Sequence, residues 1–110
     1  MAEDSKKSVG KTVPTREDSQ GREVRIVVGQ RGFVHVGYYH ASPHEIALTH
    51  ARCVRRWGTD KGLNQLRNGK LNETILDAPS TIRMHPLAVV HTVDCNPEKW
   101  EADLKDSGDE

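Results

Sequence analysis

The sequence predicts a mainly β (α+β) domain: a small, strongly bent antiparallel sheet, or a partly open barrel, of five to six strands with one short helix. Three observations carry this. Short runs rich in Val, Ile, Tyr and Thr alternate in polarity with the period of two that a half-buried strand requires. Breaks built from Gly, Pro, Ser and Asp separate those runs. Only Leu63-Asn64-Gln65-Leu66 has helical spacing, and so few short strands curl into one bent sheet more readily than they divide into a sandwich.

Taken in order, residues 24–28 are a β-branched run, Gln30-Arg31-Gly32 supplies a turn with glycine available for positive φ, and 33–39 return with apolar character at alternate positions. That is a hairpin. Ala41-Ser42-Pro43-His44 breaks the pattern, and 45–49 form a third antiparallel strand with Ile46 and Leu48 on one face. Unbroken alternation beyond Leu48 would bury His50 and Arg52, so a bulge or bend at His50-Ala51 is predicted, turning Ala51 and Val54 inward. Gly37 marks close packing or a bend.

The stretch from Gly58 to Gly62 ends that strand, one or two helical turns at 63–66 stop at Gly69, and 68–80 form a polar connection anchored by Leu71, Ile75 and Leu76. Residues 81–84 and 87–95 then read as a closing pair of strands. His85-Pro86 falls at a bend or edge between them, where proline loses no ladder bond.

Composition divides the chain into a disordered N-terminal arm, 1–21, one small β-rich domain, 22–97, and an acidic C-terminal tail, 98–110. The zero net charge hides this division. Residues 22–97 hold ten Lys and Arg against six Asp and Glu, about +4, while 98–110 hold two against six, about −4. The tail is expected to hold one short helical turn that docks Trp100 on the domain, and its charge makes it either an independent solubilising strip or a competitor that folds back over the basic face.

No run approaches the ~20 apolar residues of a membrane span, and the N-terminus carries no secretory signal, so the expected location is the cytoplasm. There Cys53 and Cys95, which lack CxxC spacing, stay as thiols and serve as small packing residues. A core this small is marginal alone, which makes homo-oligomerisation a further expectation.

Val34-His35-Val36-Gly37-Tyr38, then Glu45-Ile46-Ala47-Leu48-Thr49-His50-Ala51-Arg52, then Trp57 and Leu63-Asn64-Gln65-Leu66, resemble a family of small uncharacterised tailed-phage and prophage proteins. Its members read GVHxGxL, EVxLxNARRIWYW and SGAxSLSQLA, with a late strand ending IIPC that Val93-Asp94-Cys95 echoes. The resemblance spans residues 24–95. Within the central motif only Ala51, Arg52 and Trp57 match outright: His50 replaces an Asn, Cys53 the second Arg, and Arg55-Arg56 an aromatic pair. The resemblance implies a phage origin and an accessory role, and no activity. The departures shift any ligand mode from stacking toward electrostatics.

Nothing in the chain names a reaction. The six histidines come without HExxH or finger spacing, and exposed or hydrogen-bonded rings are the better reading than metal ligands. GxSxG and DxD are absent, and Gly29-Gln30-Arg31-Gly32 lacks both the GK[ST] ending and the helix of a phosphate loop. The protein is therefore expected to be non-enzymatic, with no cofactor.

The candidate binding residues are His50, Arg52, Arg55, Arg56, Trp57 and Lys61, because arginine forks grip phosphate bidentately and tryptophan stacks on a base. Each has a plainer counterpart. Trp57 suits a core, and a basic strand end discourages edge-to-edge pairing. Three functions follow, in order. The first is binding that inhibits or sequesters a host factor, either a host protein or an anionic nucleotide-type ligand, in the manner of counter-defence proteins. The second is nucleic-acid binding by a small β-barrel. The third is a virion or structural role.

Overall fold

The computed structural model describes residues 16–104. Six antiparallel strands form one sheet: β1 Val24–Gly29, β2 Val34–Ala41, β3 Ile46–Arg56, β4 Ile75–Leu76, β5 Ser80–Met84 and β6 Val89–Asp94. Their order is β4-β3-β2-β1-β6, with β5 also paired to β3. Leu63–Asn68 is a 3-10 segment, and Pro97–Trp100 is a single α-turn, α1. The chain is thus mainly β, as the sequence predicts, and the sheet is open.

β5 and β6 are not a closing pair. β5 runs along β3 and β6 along β1, so they occupy two edges of the sheet, joined by the 3-10 turn Pro86–Ala88. Proline begins that turn and His85 Nδ1 accepts the Leu87 N–H at 3.0 Å, which ends the ladder at His85.

The register of the first hairpin, Val24↔Tyr38 through Val28↔Val34, places Val24, Ile26, Val34, Val36 and Tyr38 on one face. There they meet Val54, Leu66, Cys95, Trp100 and Leu104 in the larger core cluster. Val27 points the other way, into a smaller cluster with Leu48 and Ala51. β1 is buried on both faces, which is why it reads as a nearly continuous apolar run.

In β3 the alternation breaks at the expected place. Tyr38 pairs with Thr49 and Val36 with Arg52, so His50 and Ala51 together oppose Gly37, and His50 takes φ 52°. The extra residue shifts the phase of everything beyond it, and Ala51 and Val54 are buried. Gly37 has no room for a side chain: a Cβ there would stand 3.0 Å from both the Ala51 Cα and the Thr49 carbonyl oxygen. The bulge does not send Arg52 outward, however. Opposite Val36, it lies on the face of the larger cluster, and its guanidinium reaches the backbone carbonyls of Asp77 and Asp103, the latter at 2.7 Å.

At the chain end the packing continues past Pro97, with Trp100 docked as expected. Trp100 and Leu104 are wholly buried, and the Trp100 indole N–H donates to the Leu66 carbonyl at 2.9 Å, so the packed unit reaches at least Leu104. At the other boundary, Asp18 accepts the backbone N–H of Gln20 and of Arg22, each at 2.9 Å. The Arg22 guanidinium pairs with Asp18 at 2.8 Å and lies 4.2 Å from the Tyr38 ring centre, so packed contacts begin before Arg22. Residues 1–15 of the predicted arm and 105–110 of the predicted tail lie outside the described residues.

Candidate functional site at one end of the sheet

The six residues singled out in the sequence separate into three groups. His50 sits in the bulge, edge-on to Tyr38 with ring centres 5.9 Å apart, and Arg52 is occupied by its two carbonyls. These two hold the fold. Turning Arg52 toward a ligand would leave both carbonyls without their charged donor.

Arg55, Arg56 and Trp57 stay together at the end of β3. Arg55 is open to solvent, yet its Nε and one terminal nitrogen both bond Asp77 Oδ1, at 2.8 and 2.6 Å. Arg56 lies 3.9 Å from Glu73 Oε1, a long pair between two exposed groups that holds neither strongly. Trp57 is 43 % exposed and so is not a core residue; the buried tryptophan is Trp100. Lys61 stands apart in the next loop, whose Asp60 and Lys61 N–H groups are each held by Gln65 Oε1 at 3.1 Å.

Beside Arg56 opens a cleft of about 580 Å³ whose charged walls are Arg56, Lys70, Asp60 and Glu73. Two cations face two carboxylates there, so a phosphate gains no net attraction, and Trp57 is not one of its walls. Gly58 sets its shape. With φ 66° and an imagined Cβ only 2.3 Å from the Glu73 carbonyl carbon, the position admits glycine alone.

Sequence reasoning missed the larger feature of this end. Phe33 is 61 % exposed, Leu87 81 % and Val90 62 %, and they gather where β1 gives way to β2. Gly29 pairs with Val89 there, and Gln30 Nε2 lies 3.5 Å from the Leu87 carbonyl oxygen. Trp57 and the 40 %-exposed Ile75, whose strand partner is Arg56, lie at the same end of the sheet. Phe33 directly follows a turn glycine and Leu87 a turn proline, positions where no period indicates burial. That placement was the available signal.

His35 and Cys53 are cross-strand partners, and Asp77 donates its backbone N–H to the Cys53 carbonyl at 2.9 Å. Burial, and then the Asp77 carboxylate, push the Cys53 thiol up. A thiol kept protonated is a poor nucleophile, and Cys95, buried in the core, is pushed up to about 12. Burial holds His35 below its ordinary range against the opposing pull of Asp77, and its Nδ1 has no hydrogen-bond partner among the described residues. Nor do three His, Cys, Asp or Glu side chains converge as a metal site requires, among the described residues. No helix among them is long and apolar enough to cross a membrane.

Fold and surface thus define a small, mainly β protein with an open six-stranded sheet and an apolar, arginine-edged end. Compared with family models, curated proteins and solved structures, the chain matches none of them.

Proposed function

We propose that this is a phage-encoded accessory protein without enzymatic activity that binds a host protein stoichiometrically in the host cytoplasm and blocks it. The observation that carries the reading is that Phe33, Leu87, Val90, Trp57 and Ile75 are all exposed and lie on strand ends and turns that the pairing register brings to one end of the sheet. Exposed aromatic and apolar groups accompanied by arginine are the composition of a protein-binding surface. Arg31, Arg55 and Arg56 edge it, so the fitting partner carries apolar side chains flanked by carboxylates. The phage origin rests on the resemblance of residues 24–95 alone.

The nucleotide and nucleic-acid readings have less support, because Arg52 is committed to the fold, Arg55 is bound to Asp77, and the cleft beside Arg56 is electrically balanced. The test is capture from host extract on the full chain, compared with a Phe33→Ser, Leu87→Ser double variant. One partner held at equal stoichiometry by the wild type and lost by the variant is the expected result. An identical set retained by both, or a homodimer that covers Phe33 and Leu87, would overturn the proposal.

A further inference from the structure

A second surface, independent of the apolar end, lies along β6. Among the described residues β6 pairs with β1 alone, so its outer edge presents main-chain N–H and C=O groups without a strand partner. Val89-Val90-His91-Thr92-Val93-Asp94 is rich in strand-forming residues and contains neither Lys nor Pro, the residues that guard an exposed edge.

Two clefts, of about 570 and 440 Å³, follow this edge as far as Asn96 and share Arg67 and Asp94. Residues 91–94 all line the second one. Successive side chains of a strand point to opposite faces, so four consecutive residues line one groove only along the strand's edge. The facing wall is the 3-10 segment Leu63–Asn68, fastened to the end of β6 by the Asn96 N–H, which donates to the Arg67 carbonyl at 2.8 Å.

From that wall Asn64, Arg67 and Asn68 reach the groove, all three exposed. Arg22, Arg25, Arg55, Arg56 and Arg83 each have a carboxylate within ion-pair distance; Arg67 has none among the described residues. Asp94, the carboxylate of the groove, is partly neutralised by Arg25 at 3.6 Å.

We propose that the groove between β6 and Leu63–Asn68 binds an extended acidic peptide of a partner protein by strand addition. The β6 edge supplies ladder hydrogen bonds, the Asn64 and Asn68 amides bond the peptide's outer main-chain groups, and the Arg67 fork takes a carboxylate. Length and chemistry favour this occupant. Residues 91–96 span roughly 20 Å at strand rise, a linear footprint, and among the described residues the walls hold no Phe, Tyr or Trp ring on which a nucleotide base would stack, the His91 imidazole being their one small ring.

The test titrates the full ¹⁵N-labelled chain with an acetylated, amidated heptapeptide of alternating Val and Glu. A control peptide has every Val replaced by Pro, which keeps the charge and removes those N–H donors. The N–H groups of His91 and Val93 face β1, so the outward amides are those of Thr92 and Asp94, and the expected result is that the first peptide shifts these two and slows their exchange while the second does neither. Arg67→Ser, an exposed position, should weaken binding at least tenfold at unchanged Tm. Equal binding of the proline peptide, full competition by inorganic phosphate at matched concentration, or no response at Thr92 and Asp94 would overturn the proposal. So would slow exchange of the Thr92 and Asp94 amides before any peptide is added, which would place other residues of the chain on the edge.

Discussion

Where β2 turns into β3, Ser42 closes the loop on itself: its N–H donates to the Glu45 carbonyl at 2.9 Å, and its hydroxyl accepts the His44 and Glu45 N–H groups at 3.2 Å. Arg83 pairs with Glu45 at 2.5 Å beside it, and Arg25 with Glu23 at 2.7 Å at the start of β1. Where β3 ends, by contrast, two arginines share space with exposed Phe33, Trp57, Ile75, Leu87 and Val90. Turn chemistry and ion pairs occur at both ends, but among the described residues only this second end also leaves large apolar side chains exposed. Apolar area left open there gains only when something covers it.

That contrast breaks most sharply at Gly58, on which the loop beside the apolar end is built. Gly58→Ala drives a Cβ into the Glu73 backbone and should cost on the order of 3 kcal/mol or more, read as a lowered urea midpoint. An unchanged midpoint would mean that the loop moves aside and that this end is not rigid.

Next in size is the division within β3. Arg52→Ala should cost about 2 kcal/mol, because it leaves two part-buried carbonyls without a charged donor. Arg55→Ser with Arg56→Ser should cost less than about 1 kcal/mol, since both pairs are solvent-exposed. Equal losses would show that the exposed arginines are structural too.

A smaller effect on stability accompanies a larger one on binding at the apolar end. Phe33→Ser with Leu87→Ser should leave the unfolding free energy within about 0.5 kcal/mol and abolish partner capture. Arg83→Ser, at the opposite end, should change capture not at all, and a loss there would merge the two ends into one surface.

The smallest effect is a pH dependence. Burial depresses the folded pKa of His35 below 6.5, so the unfolded chain takes up the proton first. Stability is full above that pH and declines as pH falls through the folded value. Thermal melts of wild type and His35→Gln should differ in slope between those limits, where wild type alone loses stability as pH falls, and run parallel outside them; identical slopes throughout would remove His35 as the cause.

Much of the fold was legible because it is local. The hairpin at 24–39, the stop at Gly69 and the bulge at His50 each follow from period and turn residues over a few positions. The pairing of the late strands was not, since the same alternating runs fit β5 against β6 as well as β5 against β3; the turn Pro86–Ala88 carries the chain to the other edge. The docking of Trp100 was expected from its place in a short turn, whereas Leu104 looked like part of an acidic tail because composition averages over neighbours and burial is decided side chain by side chain.

For the site, the sequence by itself determined that cations and an aromatic would cluster at the end of β3, since adjacency along one strand is adjacency in space. Only the tertiary structure decided which of them are occupied. Arg52 meets carbonyls from residues 25 and 51 positions away, and Arg55 meets Asp77 across 22. It likewise brought the start of β6 to the β1–β2 turn and left Arg67 lining a groove with an edge strand, without a carboxylate partner among the described residues. Whether a charge or an apolar face is spent inside the fold depends on partners distant in the chain, and no local pattern records them.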